Sequence, residues 1–369
     1  MIPYVILRFT LLFPPAPRTQ DFKKWYRIGQ QKGWPTGECP SFFKLPKATS
    51  GSSAAPPSHA GAAAPTHVHK SSYGGRDFMV VGAYKSGAPK KLGTFQSNQK
   101  PQLVDAGAFY ASKDFFDPVK QRRILWGWAK IAYGKWTRGQ SWGSSSHTLP
   151  REITWNAELA QLCFAPLEEQ SKLRGAVLGK LKPQPLLPAK PLSLLPKGTV
   201  GGNQSEAVLS FAMPTAAVNV TVALMVGAGK RGAAAVTLHF TPPATPSKTP
   251  WHAVSVSGTG VEATELRLAK TDSSIELRLF VDQVMAEAFW QGGRMASTLA
   301  AGPGCGADCG IVVTADAAGA SLLSATAWAV NPIWVTPQDV LASPRSDGKE
   351  HGEGAAALMA ERMHEEQRM

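Results

Sequence analysis

The segment GWPTGECPSFFKLP, residues 33–46, sets one carboxyl group, Glu38, between a glycine and a Cys-Pro pair, with aromatic residues on either side. An acid held in rigid, apolar surroundings has its charged form disfavoured and its pKa raised. Such a group can give up a proton near neutral pH. The same letters also fit a turn whose lone glutamate is simply solvated, the ordinary state of an acidic side chain. Other reactive residue types form no comparable grouping. Cys305 and Cys309 share the loop GPGCGADCG, which fits a local disulfide or two free thiols. Zinc would need further ligands at suitable spacing, and the sequence supplies none. His67 and His69 form a His-x-His inside a low-complexity stretch and do not make a metal site. No cofactor is expected.

The elements that must position Glu38 are β-rich. A chain of 369 residues suits two domains, and 43% hydrophobic residues provide for real cores. Abundant Gly (35) and Pro (29), with 11 Trp, favour strands and turns over helical bundles. The net charge of +13 is scattered, with no run beyond pairs such as Lys23-Lys24, Lys90-Lys91 and Arg122-Arg123. No nucleic-acid motif accompanies it, so a nucleic-acid partner is not expected. No segment is long and apolar enough to span a bilayer, so no membrane partner is expected either. The opening MIPYVILRFTLLFPP imitates a signal sequence, but Arg8 interrupts it and no clean cleavage site follows, so it reads as a strand. Asn203-Gln204-Ser205 and Asn219-Val220-Thr221 are glycosylation triplets of a kind common by chance.

Residues 1–174 read as one domain. Within it, 47–72 is Ala/Ser/Pro/His-rich and reads as a disordered insertion. DAGAFYASKDFFDPVKQRRILWGWAK, 105–130, reads as strand, turn at Asp117-Pro118, and strand, with Trp126 and Trp128 on one face and Gly127 on the other. The Pro-, Lys- and Leu-rich stretch 175–202 reads as a linker. From 203 to 335 the pattern alternates cleanly: Val218, Val220, Val222, Leu224 and Val226 share one face, as do Ile275, Leu277, Leu279 and Val281. That predicts a β-sandwich. Residues 336–369 read as a mobile tail.

Five stretches in order resemble glycoside hydrolase family 32, the invertases and fructan-active enzymes. They are ECP at 38–40, DAGAFYASKDFFDPVKQRRILWGWA at 105–129, SSSHTLPREITW at 144–155, LCFAPLEEQSKLRG at 162–175 and IELRLFVDQVMAEAFWQGGR at 275–294. The resemblance implies an all-β chain: a five-bladed β-propeller, here partial with its first blades missing, followed by a β-sandwich. It implies retaining hydrolysis of β-D-fructofuranosides such as sucrose or a fructan. One carboxylate attacks the anomeric carbon while a second, about 5–5.5 Å away, protonates the leaving oxygen. The proton-donor role falls to Glu38, and a substrate-pocket role to Asp105. Trp126 and Trp128 either line the substrate site or pack a core.

Two family segments have no counterpart: the Asn-Asp-Pro-Asn-Gly-like segment with the nucleophile, and the Arg-Asp-Pro segment. Asp77 in GRDF falls after Glu38 in chain order and is followed by Phe78, so it does not fill the second role. Lys130 and Ile131 stand where plant-type members usually place a Glu, and Ala108 where many place a polar residue. The expectation is an N-terminally truncated β-fructofuranosidase with negligible hydrolysis of its own. The alternative is a carbohydrate-binding protein without turnover. A secreted, cell-wall or vacuolar setting is implied by the resemblance alone.

Overall fold

The computed structural model describes residues 17–18, 26–27, 37–46, 64–86, 93–97, 99–131, 146–225, 234–243, 249–301, 309–332 and 336–343. The chain divides into two compact units, Met1–Asn331 and Pro332–Met369. Among the described residues, the first contains only strands apart from one 3-10 turn at Glu168–Leu173. β1 (Pro17–Arg18) and β2 (Tyr26–Arg27) form a short antiparallel ladder.

A first sheet is formed by β3 (Glu38–Lys44), β4 (His67–Tyr73), β5 (Arg76–Lys85) and β6 (Thr94–Gln96) in that order, with β7 (Gln102–Leu103) also on β5. A second contains β8 (Phe109–Asp117), β9 (Arg122–Ala129), β10 (Ser146–His147), β11 (Arg151–Asn156) and β12 (Gln161–Pro166), running β8-β9-β11-β12 with β10 on β9. β3 and β8 lie against each other. Phe43, Val68, Met79, Val81, Phe109, Leu125, Ile153 and Phe164 fill the space between the two sheets. Gly127 is required there, because a Cβ at this position would lie 2.0 Å from the Phe109 ring.

The sandwich follows. One sheet holds β13 (Arg174–Leu181), β14 (Gln184–Pro185), β16 (Gln204–Ala212), β21 (Ser274–Asp282), β22 (Met285–Trp290), β23 (Met295–Ala300) and β25 (Ser321–Val330). The other holds β15 (Leu192–Leu195), β17 (Val218–Met225), β18 (Ala234–Phe240), β19 (Trp251–Gly258), β20 (Val261–Ala269) and β24 (Gly310–Ala315). Every described residue of the two alternating rows is buried: Val218, Val220, Val222 and Leu224 face Ile275, Leu277, Leu279 and Val281 across the core. Each such side chain contributes about 2 kcal/mol by leaving water. Val226 lies outside the described residues.

Three boundaries differ from the sequence reading. Residues 175–202 are no linker: β13 and β14 pair with β25, and β15 pairs with β24. Proline-rich composition is compatible with this because Pro185 sits in a two-residue edge strand, where a missing N–H costs no ladder bond. Of the expected insertion, 47–63 lies outside the described residues, whereas 67–72 belongs to β4, the strand between β3 and β5. The opening segment read as a strand also lies outside them, up to Pro17.

In the second unit, a short helix α1 (Pro337–Ala342) replaces the first part of the expected tail. Thr336 caps it: its Oγ1 accepts from the Asp339 N–H at 3.1 Å, and its own N–H donates to the Asp339 carboxylate at 2.9 Å. No helix among the described residues is long and apolar enough to cross a membrane.

β4 buries His69, whose pKa is pulled down from 6.5 to about 4 by desolvation. The unfolded chain takes up a proton near pH 6.5 while the folded chain resists until about pH 4. Stability is therefore full above pH 6.5 and falls as the pH drops through that window, by on the order of 3 kcal/mol. In urea titrations from pH 7 to pH 4, His69→Phe is expected to flatten this dependence. An unchanged slope would exclude His69 as its source.

Candidate active site

Glu38 opens β3 and Tyr110 lies near the start of β8, so both sit on the adjacent strands of the two sheets. The ladders are broken at both places. The β3–β4 register shifts between Glu38 and Ser41, and the β8–β9 register between Tyr110 and Lys113. The residue after each is left-handed: Cys39 with φ 48° and Ala111 with φ 50°. Bulges of this kind re-aim a side chain out of the pleat. The Tyr110 hydroxyl donates to Glu38 Oε2 at 2.8 Å. Desolvation, then the Glu38 carboxylate, push the Tyr110 phenol up to about 12, so it stays protonated and keeps donating.

Glu38 is exposed rather than sheathed in apolar groups, contrary to the expectation from its neighbours. The bulge and the Tyr110 hydrogen bond contribute to its orientation. Trp128 pairs with Tyr110 across the β8–β9 ladder, ring centroids 6.3 Å apart, and Trp126 stacks on Phe115 at 5.4 Å. Both tryptophans are 39% exposed, so neither is a core residue. Lys130 lies over the Tyr110 ring at 5.3 Å. The structure thus gathers Glu38, Tyr110 and Trp128 on one open face, with Trp126 next along it.

Asp105 is placed elsewhere. It is buried, and its carboxylate accepts from Gly107 N at 2.7 Å, Thr298 N at 2.9 Å and Thr298 Oγ1 at 2.8 Å. Arg151 Nη2 lies 2.8 Å from Asp105 Oδ2 and 2.7 Å from Glu287 Oε2. Burial opposes the Arg151 charge, but the two carboxylates hold its pKa above the ordinary value. The Asp105 oxygens are therefore taken up in a joint between the second sheet and β23, and are not open to a sugar. Gly107 permits that joint, since a Cβ there would fall 2.0 Å from the Thr298 carbonyl oxygen.

Tyr110 was not singled out from the sequence. It stood in a run of aromatics, and only the bulge brings its hydroxyl to a residue 72 positions away. A cavity of about 750 Å³, lined by Phe42, Lys44, Pro46, Phe116 and Arg122, lies at the opposite end of β3 from Glu38, about 20 Å along the strand. It does not mark this site. No cluster of three or more His, Cys, Asp or Glu suited to a metal occurs among the described residues. Cys39 and Cys163 are free thiols, and Cys309 is disulfide-bonded. Cys305, its expected partner, lies outside the described residues.

Residues 17–166 match the glycosyl hydrolases family 32 N-terminal domain. The chain is 36% identical over 163 residues to the Arabidopsis thaliana beta-fructofuranosidase, insoluble isoenzyme CWINV6, covering 42% of this chain and 29% of that protein. It is 32% identical over 168 residues to wheat fructan 1-exohydrolase w3, covering 42% and 27%. The matched segment thus spans less than a third of these relatives' length. Among solved structures, fructan 1-exohydrolase IIa from Cichorium intybus in complex with 1-kestose superposes with a TM-score of 0.66 at 19% identity, covering 85% of this chain and 66% of that one. Exo-inulinase from Aspergillus awamori gives 0.61 at 17%, covering 86% and 62%. The segment matched to the family 32 N-terminal domain contains Glu38, and the all-β fold of the chain is shared with these solved structures.

Proposed function

We propose that this protein acts on terminal β-D-fructofuranosides, sucrose or fructan, with Glu38 as the group that protonates the leaving oxygen. The observation that carries the reading is the Tyr110–Glu38 hydrogen bond between two bulged, adjacent strands. Tyr110 donates to Oε2 and so holds one carboxyl oxygen in a fixed direction. Trp128 and Trp126 offer apolar ring faces beside it for the sugar or its aglycone. The names of the relatives support the substrate class, and the 1-kestose bound by the Cichorium structure supports an oligofructoside. The insoluble isoenzymes and the Cys309 disulfide support an oxidising, extracellular setting.

A retaining route also needs a nucleophilic carboxylate. The aspartates described between residues 37 and 166 are all engaged. Asp77 pairs with Lys70, Asp105 with Arg151, Asp114 with Arg123 and Asp117 with Arg122. With no uncommitted aspartate among those described there, purified chain is expected to cleave sucrose and 1-kestose at least about 10³-fold more slowly than a complete retaining fructosidase. Rapid cleavage lost in Glu38→Gln would show that a partner exists. Rapid cleavage that survives Glu38→Gln would remove Glu38 from the role.

A second assay needs no nucleophile. In a β-fructofuranoside with an epoxide in its aglycone, a Glu38 oxygen attacks an epoxide carbon and the ring C–O bond opens. The alkoxide then takes a proton from water, leaving an ester. Peptide mass spectrometry should find that ester on Glu38, and sucrose should protect against it. Its absence, or modification spread over other carboxylates, would sink the assignment.

A further inference from the structure

We propose that Lys70 and Asp77 are positioning residues for Glu38 and Tyr110: a buried ion pair that locks the two bulges from which those side chains project. The proposal deepens the proton-donor reading of Glu38 and rests on it. β4 is an interior strand of its sheet, yet it carries a lysine at its centre with no exposed side-chain surface. A buried ammonium must find partners for its three donors. Lys70 Nζ has four acceptors: Ser112 O at 2.6 Å, Ser72 Oγ at 3.0 Å, Cys39 O at 3.1 Å and Asp77 Oδ2 at 3.1 Å. Asp77, equally buried, accepts from Ala111 N at 3.0 Å and Ser112 N at 2.7 Å, and from the Ser112 hydroxyl.

The placement is specific. Cys39 follows Glu38 in the chain, and Ala111 follows Tyr110. These are the two left-handed residues of the bulges, a conformation that non-glycine residues hold only when their surroundings impose it. Lys70 grips the Cys39 carbonyl from one side. Asp77 takes the Ala111 and Ser112 N–H groups that the bulge withdraws from the ladder. One pair therefore sets the backbone beneath both ends of the 2.8 Å Tyr110–Glu38 bond. An apolar pair of equal volume could serve stability as well or better. It could not accept those N–H groups, so the ion pair is explained by geometry rather than by strength.

The test compares wild type with Lys70→Met and Ser112→Ala in the full chain. Three measurements are made: cooperative thermal melting, the rate of Glu38 esterification by the epoxide fructoside, and the titration of Tyr110 by 13C NMR of labelled tyrosine. Ser112→Ala keeps the ion pair and is expected to fold. Esterification should slow three- to tenfold in Ser112→Ala and more than tenfold in Lys70→Met. The Tyr110 phenol, which faces Glu38, Asp77, Cys39 and Lys130, should fall from about 12 toward 10 as its bond to Glu38 loosens. Folded variants with wild-type esterification and unchanged Tyr110 titration would overturn the proposal. If Lys70→Met does not fold, Ser112→Ala decides alone. If wild type is not esterified at Glu38, the functional reading fails, while the Tyr110 titration still judges the positioning role.

Discussion

Replacing Arg151 by methionine is expected to lower the melting temperature of the protein by roughly 10 °C. The guanidinium is fully buried and holds Asp105 and Glu287 together, with Thr298 Oγ1 at 3.0 Å from the same nitrogen. It also lies over the Phe109 and Phe289 rings, 4.6 and 5.0 Å from their centroids. Methionine keeps much of the volume but leaves two buried carboxylates facing each other. Removing one partner from a buried ionic group costs about 3–5 kcal/mol. At about 2–4 °C per kcal/mol for a large domain, that gives the stated shift.

The pH dependence of the deficit has a defined sign. Burial already pushes the Glu287 carboxyl up, and losing Arg151 removes the charge that opposes this. A carboxyl raised in the folded state contributes stability below its unfolded pKa, and that stability is lost as the pH rises through the folded value. The variant should therefore lie closer to wild type at pH 5 than at pH 8. Melting by circular dichroism at both values checks this. A variant within 2 °C of wild type at pH 8 would show that the joint carries little stability.

The second large effect is expected at Gly127. An alanine there puts a methyl group 2.0 Å from Phe109 Cε2, and also 2.3 Å from Cζ, so the ring must move. Arg151 lies over the Phe109 ring, which packs with Leu125 and Ile153 of its own sheet in the core shared with the first sheet. Overpacking of this kind costs about 3 kcal/mol. Because Phe109 immediately precedes Tyr110, the strain is delivered to the bulge. Gly127→Ala should therefore lose both melting temperature and Glu38 esterification. Phe109→Leu in the same chain should restore part of each, since it removes the clashing atoms. A single variant that behaves as wild type, or a double variant with no recovery, would refute the packing argument.

The sandwich was legible because both of its faces obey a period of two, and β17 and β21 bury the rows that their alternation marks. β13, β14 and β15 were not legible. Their prolines and lysines sit at strand edges and on exposed faces, so composition resembled a spacer while backbone pairing made them strands. β4 was hidden for a different reason. Of its five buried positions only Val68 is apolar and joins the core; His69, Lys70, Ser71 and Ser72 carry no apolar signal, because that part of the strand serves a polar network. Glu38 was found from its motif, but the apolar surroundings expected for it were not, since they depended on neighbours in space rather than in sequence. The Asp105–Arg151–Glu287 joint left no local trace, with its members 46 and 136 positions apart.

The joint around Gly107 also bears on how the protein is made. Ala106 N donates to the Ala296 carbonyl and Ala108 N to that of Thr298, so the start of β8 is tied to a strand almost 200 residues downstream. Contacts between such distant parts form late, because the loop they close must be ordered first. During synthesis, Glu38 and Tyr110 leave the ribosome early, yet the segment leading into the strand that carries Tyr110 lacks its tie to the sandwich until β23 emerges. Nascent chains stalled before residue 295 should leave β8 open to protease, and chains released after residue 300 should protect it.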